Sequence, residues 1–322
     1  MLKYLVILLD DTSTSYCHYE NEKSEGKLIA LEDLKAGIFF AMKENLMIQF
    51  VYPDYELPQE YKDVINAIDH IKIIPYGNNE VGDVVVLNHW SDVQNGALDK
   101  NLTYVFRTTK DKLFANINLL GCLVKCVARL NVVITDVDSF TDNDFNEYKK
   151  CLEKLSDYIK ELYVSGKTPQ LNLLTDRMAL DEMNNCNAGW ENVTLAPDGR
   201  FYVCPAFYLA NDDEDYGLGK SKFSIGDLEK GLNIKNPQLY KLTHAPLCRN
   251  CDAYQCKRCV WLNRKMTYEM NTPSREQCVM AHLERNTSCE LLRNIRRNGE
   301  FLPEKEIKEI TYLDPFDVRK EW

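Results

Sequence analysis

The chain has 322 residues, of which 45% are hydrophobic and 27% charged, and a formal net charge of −10. These proportions belong to a globular protein with room for one large domain or two ordinary ones, and they exclude a disordered or membrane-embedded chain. Its 39 basic residues are interspersed among 49 acidic ones, leaving no cationic stripe for a phosphate backbone, so neither nucleic acid nor a membrane is an expected partner.

The apolar stretch from Met1 to Leu9 stops at Asp10 and Asp11, too short to span a bilayer, and reads as a buried first strand. With no export signal, the twelve cysteines are expected in a reducing, cytoplasmic compartment, as thiols or metal ligands rather than disulfides. Strand at Tyr4 to Leu9 is followed by a helix over Leu31 to Asn45, with Leu31, Leu34, Ile38 and Met42 on one side. Met47 to Tyr52 is strand, Gln59 to Ile68 helix, and Ile71 to Ile74 and Val84 to Leu87 are short strands. Tyr104 to Arg107 leads into a helix over Asp111 to Arg129, Val132 to Thr135 into a helix over Asp142 to Leu162, and Leu171 to Leu174 closes the series.

Residues 1–177 thus predict an α/β domain of about six βα units, a partial (β/α) barrel working at the carboxyl ends of its strands. That face would carry Asp10, Asp11, Asp54, His89, Arg107, Asp136, Asp138 and Asp176, although a carboxylate after a strand more often caps a helix or forms a turn. No phosphate-binding glycine loop, nucleophile elbow, zinc-protease helix or triad is present, so no catalytic residue is assigned.

From residue 178 the periodicity fades and cysteine, glycine and asparagine become frequent; helical pattern returns over Arg275 to Arg297. Residues 178–298 therefore read as a small cysteine-rich domain and 299–322 as a tail. The acidic run Asp212 to Asp215 lacks the alternation of a calcium loop and reads as a solvated loop.

Seven cysteines lie in this domain: Cys186, Cys204, Cys248, Cys251, Cys256, Cys259 and Cys278. Four of them fall between positions 248 and 259, with only Asp252 to Gln255 separating the two C-x2-C pairs. Zinc ribbons separate their pairs more widely, whereas tight cysteine runs suit iron–sulfur clusters, so clusters are the expected cofactor and structural zinc the alternative. Of the scattered histidines 18, 70, 89, 244 and 282, His244 and His282 each sit four residues from a cysteine and are candidate substitute ligands. Cys289 lies eleven residues beyond Cys278, about 16 Å along an unbroken helix, too far to share a cluster. Cys17, Cys122, Cys126 and Cys151 read as small hydrophobes.

The order Cys186-x12-Gly199-x4-Cys204, then Cys248-x2-Cys251-x4-Cys256-x2-Cys259, then Cys278, resembles the SPASM domain of peptide-modifying radical S-adenosylmethionine enzymes. That family's pattern is C-x9–15-G-x4-C, C-x2-C-x5-C-x3-C and a last C, so both central spacings are one residue shorter here. Cys204-Pro205 and the Ile225-Gly226-Asp227-Leu228 turn agree with it. The C-x3-C-x2-C motif, which the family carries in the loop after its first strand, is missing; the nearest approach, Cys122-x3-Cys126, meets Arg129 at the third position. With the opening LKYLVILLDDTS, the whole chain looks most like the CXXX repeat peptide maturases.

The resemblance implies a degenerate barrel and two auxiliary [4Fe-4S] clusters, one on Cys248, Cys251, Cys256 and Cys278 and one on Cys186, Cys204 and Cys259 with an iron open to an outside ligand. It implies maturation of a small, ribosomally made cysteine-repeat peptide, alone or with a separate radical S-adenosylmethionine enzyme. The alternative is a non-catalytic recognition or delivery protein with structural cluster or zinc sites.

Overall fold

The computed structural model describes residues 2–23, 26–95, 98–210 and 223–307. The Asp212 to Asp215 run and most of the expected tail lie outside the described residues. The chain packs as two compact units, each assembled from two stretches of sequence: 1–88 with 187–246, and 89–186 with 247–322.

The first unit opens with β1 (Tyr4–Leu8), α1 (Leu31–Lys43), β2 (Met47–Val51), α2 (Gln59–Asn66), β3 (Ile71–Pro75) and β4 (Val84–Leu87). The four strands run parallel in the order β1-β2-β3-β4. Their Val- and Ile-rich runs are largely buried, as parallel strands covered on both faces require. On α1 the buried face runs through Leu34, Gly37, Ile38 and Ala41, while Met42 is exposed. Small residues take that face because the helix lies close to the strands: a Cβ on Gly37 would stand 2.3 Å from Leu195 Cδ2.

In the second unit follow α3 (Trp90–Asn95), β5 (Thr103–Thr108), α4 (Lys110–Ala115), α5 (Ile117–Cys126), β6 (Arg129–Ile134), α6 (Asp142–Val164), β7 (Gln170–Leu171) and α7 (Thr175–Ala179). β5, β6 and β7 are parallel. The single helix expected over Asp111 to Arg129 is two helices broken at Asn116, which leaves helical geometry at φ −119° and ψ 22°. Its far end is already strand, because Val127 turns extended and Arg129 pairs in the sheet. The strand expected over Leu171 to Leu174 shortens to two residues, since Leu174 already turns into α7. Thr141 and Asp144 form a capping box that starts α6 where the pattern placed it.

The chain then supplies the first unit with β8 (Asn192–Leu195), β9 (Arg200–Tyr202), α8 (Ala206–Leu209), β10 (Ser224–Asp227) and β11 (Gly231–Leu232). β8 adds to β1 in parallel, and β9, β10 and β11 continue antiparallel. None of these four strands is expected from periodicity; two are built on glycine turns. Gly199 turns β8 into β9 at φ +76°, and Gly226 lies in β10 at φ +135°. A Cβ there would meet the Gly231 carbonyl oxygen at 2.1 Å. Finally α9 (Val260–Thr267) and α10 (Arg275–Arg296, capped by Ser274) return to the second unit, where α10 packs along α6 and α7.

The class is mixed α/β with parallel strands joined by helices, as expected from the sequence. No helix among the described residues is long and apolar enough to cross a membrane. Gly226→Ala should destabilise the fold by about 1–3 kcal/mol, since it combines a left-handed φ with a backbone clash. Gly231→Ala has the positive φ but open space around the new methyl. Its loss of Tm, followed by circular dichroism, should be the smaller of the two.

Candidate functional site

Six of the seven expected ligands, Cys186, Cys248, Cys251, Cys256, Cys259 and Cys278, belong to the second unit, and Cys204 belongs to the first. All twelve cysteines are thiols; none is in a disulfide. The segment 247–259 has little regular structure, so its shape comes from specific hydrogen bonds and ion pairs. Two backbone bonds, Asn184 N–H to the Tyr254 carbonyl and Cys186 N–H to the Lys257 carbonyl, both 2.8 Å, lay residues 184–186 alongside 254–257. Cys186 is thereby carried to the Cys256–Cys259 pair.

The four-residue loop between the pairs is gripped at both ends. Asp252 accepts from Arg285 Nη1 at 2.9 Å and Arg177 Nη2 at 3.2 Å, and the Arg177 guanidinium stacks 4.9 Å from the Tyr254 ring centroid. Gln255 Nε2 donates to the Ala281 carbonyl at 2.7 Å and to Glu284 Oε2 at 3.1 Å, and Tyr148 Oη donates to Glu284 Oε1 at 2.6 Å. Between Cys256 and Cys259, Arg258 adopts a left-handed φ of +44°, which folds the pair back on itself. Its N–H approaches Cys256 Sγ at 3.4 Å and its Nε donates to Asn185 Oδ1 at 2.8 Å.

Burial dominates the electrostatics of these sulfurs, with smaller contributions from one another and from Arg258. Burial pushes the Cys248 thiol up to about 11, with Arg258 opposing and Cys251 adding. Burial also raises Cys256, where Arg258 N–H opposes and Cys248, Cys251 and Glu284 add. Cys259 is pushed up to about 12, first by burial and then by Cys186. Arg258, only 1% exposed, is lowered by burial and raised by Cys248, Cys186 and Cys256. Burial outweighs the opposing Arg258, so these thiols hold their protons in the metal-free chain and would release them on binding a metal. The donor chemistry therefore fits a thiolate-bound group. Among the described residues, no three His, Cys, Asp or Glu side chains gather to hold one metal ion.

His282, buried on α10, places Nε2 3.5 Å from Cys251 Sγ. His244 ends a 3₁₀ turn and its Nδ1 meets Thr243 Oγ1 at 3.1 Å. Cys278 lies in the first turn of α10, and Cys204 directly precedes Pro205, the residue before α8. Cys151 is buried as a small hydrophobe, but Cys122 and Cys126 are exposed on α5. Several carboxylates of the expected working face have structural partners: Asp136 caps Lys110 N–H at 2.9 Å, Asp138 pairs with Lys265 at 2.6 Å, and Asp176 with Arg129 at 2.8 Å. Sequence reasoning missed Arg258, Asp252, Arg285 and Glu284. For Arg258 and Asp252 the available signal was a charged residue inside the second cysteine pair and in the loop between the pairs; Glu284 and Arg285 lie on α10, where no such signal exists.

No protein-family model and no curated protein matches the chain. Solved structures do. The chain is similar to a histidine-tagged anSMEcpe with bound AdoMet, at 13% identity and a TM-score of 0.63, over 92% of this chain and 96% of that one. It is similar to native anSMEcpe with bound AdoMet and Kp18Cys peptide, at 14% identity and 0.61, over 91% and 99%. With bound AdoMet and Cp18Cys peptide, the same native protein gives 13% and 0.62, over 92% and 100%. At the level of fold, the chain is similar to these AdoMet-bound proteins.

Asp252→Ala leaves Arg285, itself 1% exposed, without its carboxylate and should cost about 3–5 kcal/mol in thermal or urea unfolding. Glu284 is pushed from 4.5 to about 7 by burial, against the hydrogen bonds from Tyr148 and Gln255. The fold therefore holds this proton more tightly than the unfolded chain. Its contribution is full below the ordinary carboxylate value and is lost as pH rises through about 7. The Tm of Glu284→Gln relative to wild type should climb across that window and level off above it.

Proposed function

We propose that the chain acts in the maturation of a ribosomally synthesised cysteine-repeat peptide, binding the precursor through a thiol-rich domain that carries two auxiliary [4Fe-4S] clusters on a partial-barrel scaffold. The observation that carries the reading is the Cys248–Cys259 run, held by buried ion pairs and hydrogen bonds at Asp252, Gln255 and Arg258, in a chain whose fold is similar to that of a protein solved with AdoMet and peptide bound. Cys248, Cys251, Cys256 and Cys278 would hold one cluster, and Cys186, Cys204 and Cys259 the other. When bound, such clusters supply electron transfer and a Lewis-acidic iron for a substrate thiolate.

The chain's own residues do the positioning. Arg177 and Arg285 hold Asp252, and so fix where Cys251 and Cys256 leave the loop. Arg258 holds a positive charge against the thiols of Cys186, Cys248 and Cys256, which offsets the negative charge of their bound form. His282 Nε2 faces Cys251 Sγ and settles that side chain against α10.

A second reading is a recognition or delivery protein that brings the peptide to a separate radical S-adenosylmethionine enzyme. The absent C-x3-C-x2-C motif favours it.

Anaerobic purification and metal analysis should find about eight irons and as many sulfides per chain. Cys256→Ser should remove about half of the iron. Zinc without sulfide would overturn the cluster reading. A cysteine-bearing precursor peptide should bind and change the EPR spectrum of the reduced protein, whereas its Cys→Ser counterpart should not. Equal response to both peptides would remove the role given to the open iron. Turnover with peptide, S-adenosylmethionine and reductant separates maturase from delivery protein by peptide mass and 5′-deoxyadenosine.

A further inference from the structure

The loop after β1 contains Asp10, Thr14 and Cys17, the spacing x3 then x2 in which the resembled family carries three cysteines in its own first-strand loop. Only the third position here is a thiol. Asp10 is 1% exposed and both of its carboxylate oxygens are engaged. Oδ1 accepts from Thr12 N–H at 2.8 Å and from Thr12 Oγ1 at 2.6 Å, and Oδ2 accepts from Tyr55 Oη at 2.7 Å. Its N–H donates to Ser13 Oγ at 3.0 Å.

The rest of the loop is stitched down as firmly. Ser13 Oγ donates to the Val51 carbonyl at 2.8 Å and Thr14 N–H to the Tyr52 carbonyl at 3.0 Å, which ties the loop to the end of β2. Asn21 Nδ2 donates to the Asp11 carbonyl at 2.6 Å, and Tyr208 Oη donates to Asp11 Oδ1 at 2.5 Å, with Lys23 Nζ 4.6 Å from the Tyr208 ring centroid. Asp10, Asp11, Ser13, Thr14 and Ser15 are all buried. A cubane takes one thiolate on each of several irons. A hydrogen-bonded carboxylate, an alcohol and one cysteine do not meet that need, so these residues do not fit the S-adenosylmethionine-cleaving cluster.

We propose that this loop is a buried polar plug in the place where the resembled family carries its cluster loop, so the chain does not itself cleave S-adenosylmethionine. Any radical step in the maturation it serves must then be supplied by a separate S-adenosylmethionine-cleaving enzyme. This rests on the functional reading above, and it selects delivery or presentation of the peptide as this chain's part.

The test is iron content after anaerobic reconstitution with iron and sulfide. Cys17→Ser should keep the full iron of wild type, and wild type with S-adenosylmethionine and dithionite should release no 5′-deoxyadenosine. The double variant Asp10→Cys/Thr14→Cys should gain about four irons per chain, lost again when Cys17→Ser is added. Iron loss from Cys17→Ser alone, or 5′-deoxyadenosine from wild type, overturns the proposal. A double variant that folds by circular dichroism yet gains no iron overturns the match of positions. Cys17 is half-buried at the loop's end, so the single variant decides even where the double one fails to fold. The C-terminal clusters are read separately, through Cys256→Ser. Zinc there would defeat the cluster reading and leave the Cys17 comparison intact.

Discussion

Two arginines close on the single carboxylate of Asp252, at the head of the four-residue loop that separates the paired cysteines. Arg285 is almost wholly removed from water, and such a charge is tolerated only where a partner of opposite sign is held in place. The loop cannot shift without breaking that arrangement, and Cys251 and Cys256 lie directly on either side of it. Tyr148, Glu284 and Gln255 brace the other end, and Asn185 with Arg258 braces the second pair. The thiols are therefore positioned by buried charge and hydrogen bonds where apolar packing is sparse. Replacing a member of such a network is felt throughout it, because every remaining polar group loses compensation it cannot recover from solvent.

The same physics works to the opposite end in the first unit. There, Asp10 and Asp11 also meet tyrosine hydroxyls in a buried setting, and both oxygens of Asp10 are satisfied by Thr12 and Tyr55. One buried polar network fixes the loop between the paired cysteines; the other ties the loop after β1 to the end of β2. Six of the seven candidate ligands lie in the second unit and Cys204 in the first, in a chain whose fold is similar to that of a protein solved with AdoMet bound.

The elements legible in the sequence share one property: their signal is local. Tyr4–Leu8, Met47–Val51 and Val84–Leu87 are runs of branched and apolar residues that suit buried parallel strands wherever they pair. α6 announced itself through its 3.6-residue pattern and its capping box. The break at Asn116 and the strands Asn192–Leu195 to Gly231–Leu232 did not, because a short strand of mixed composition forms only when a neighbouring strand supplies its hydrogen bonds. The exposure of Met42 was illegible for a related reason: only the close approach of Leu195 shows why Gly37 and Ala41 take the buried face.

By itself, the sequence determined the class of the fold and the identity of the candidate ligands, since hydrophobic period and cysteine spacing are set within a few residues. Tertiary structure alone decided which groups surround those ligands. Tyr148 meets Glu284 across 136 residues, Arg177 meets Asp252 across 75, and Arg258 meets Asn185 across 73. An ion pair or a buried hydrogen bond leaves no periodic trace in either partner's neighbourhood. It exists only once folding has brought the two together and excluded the water that would otherwise satisfy each alone.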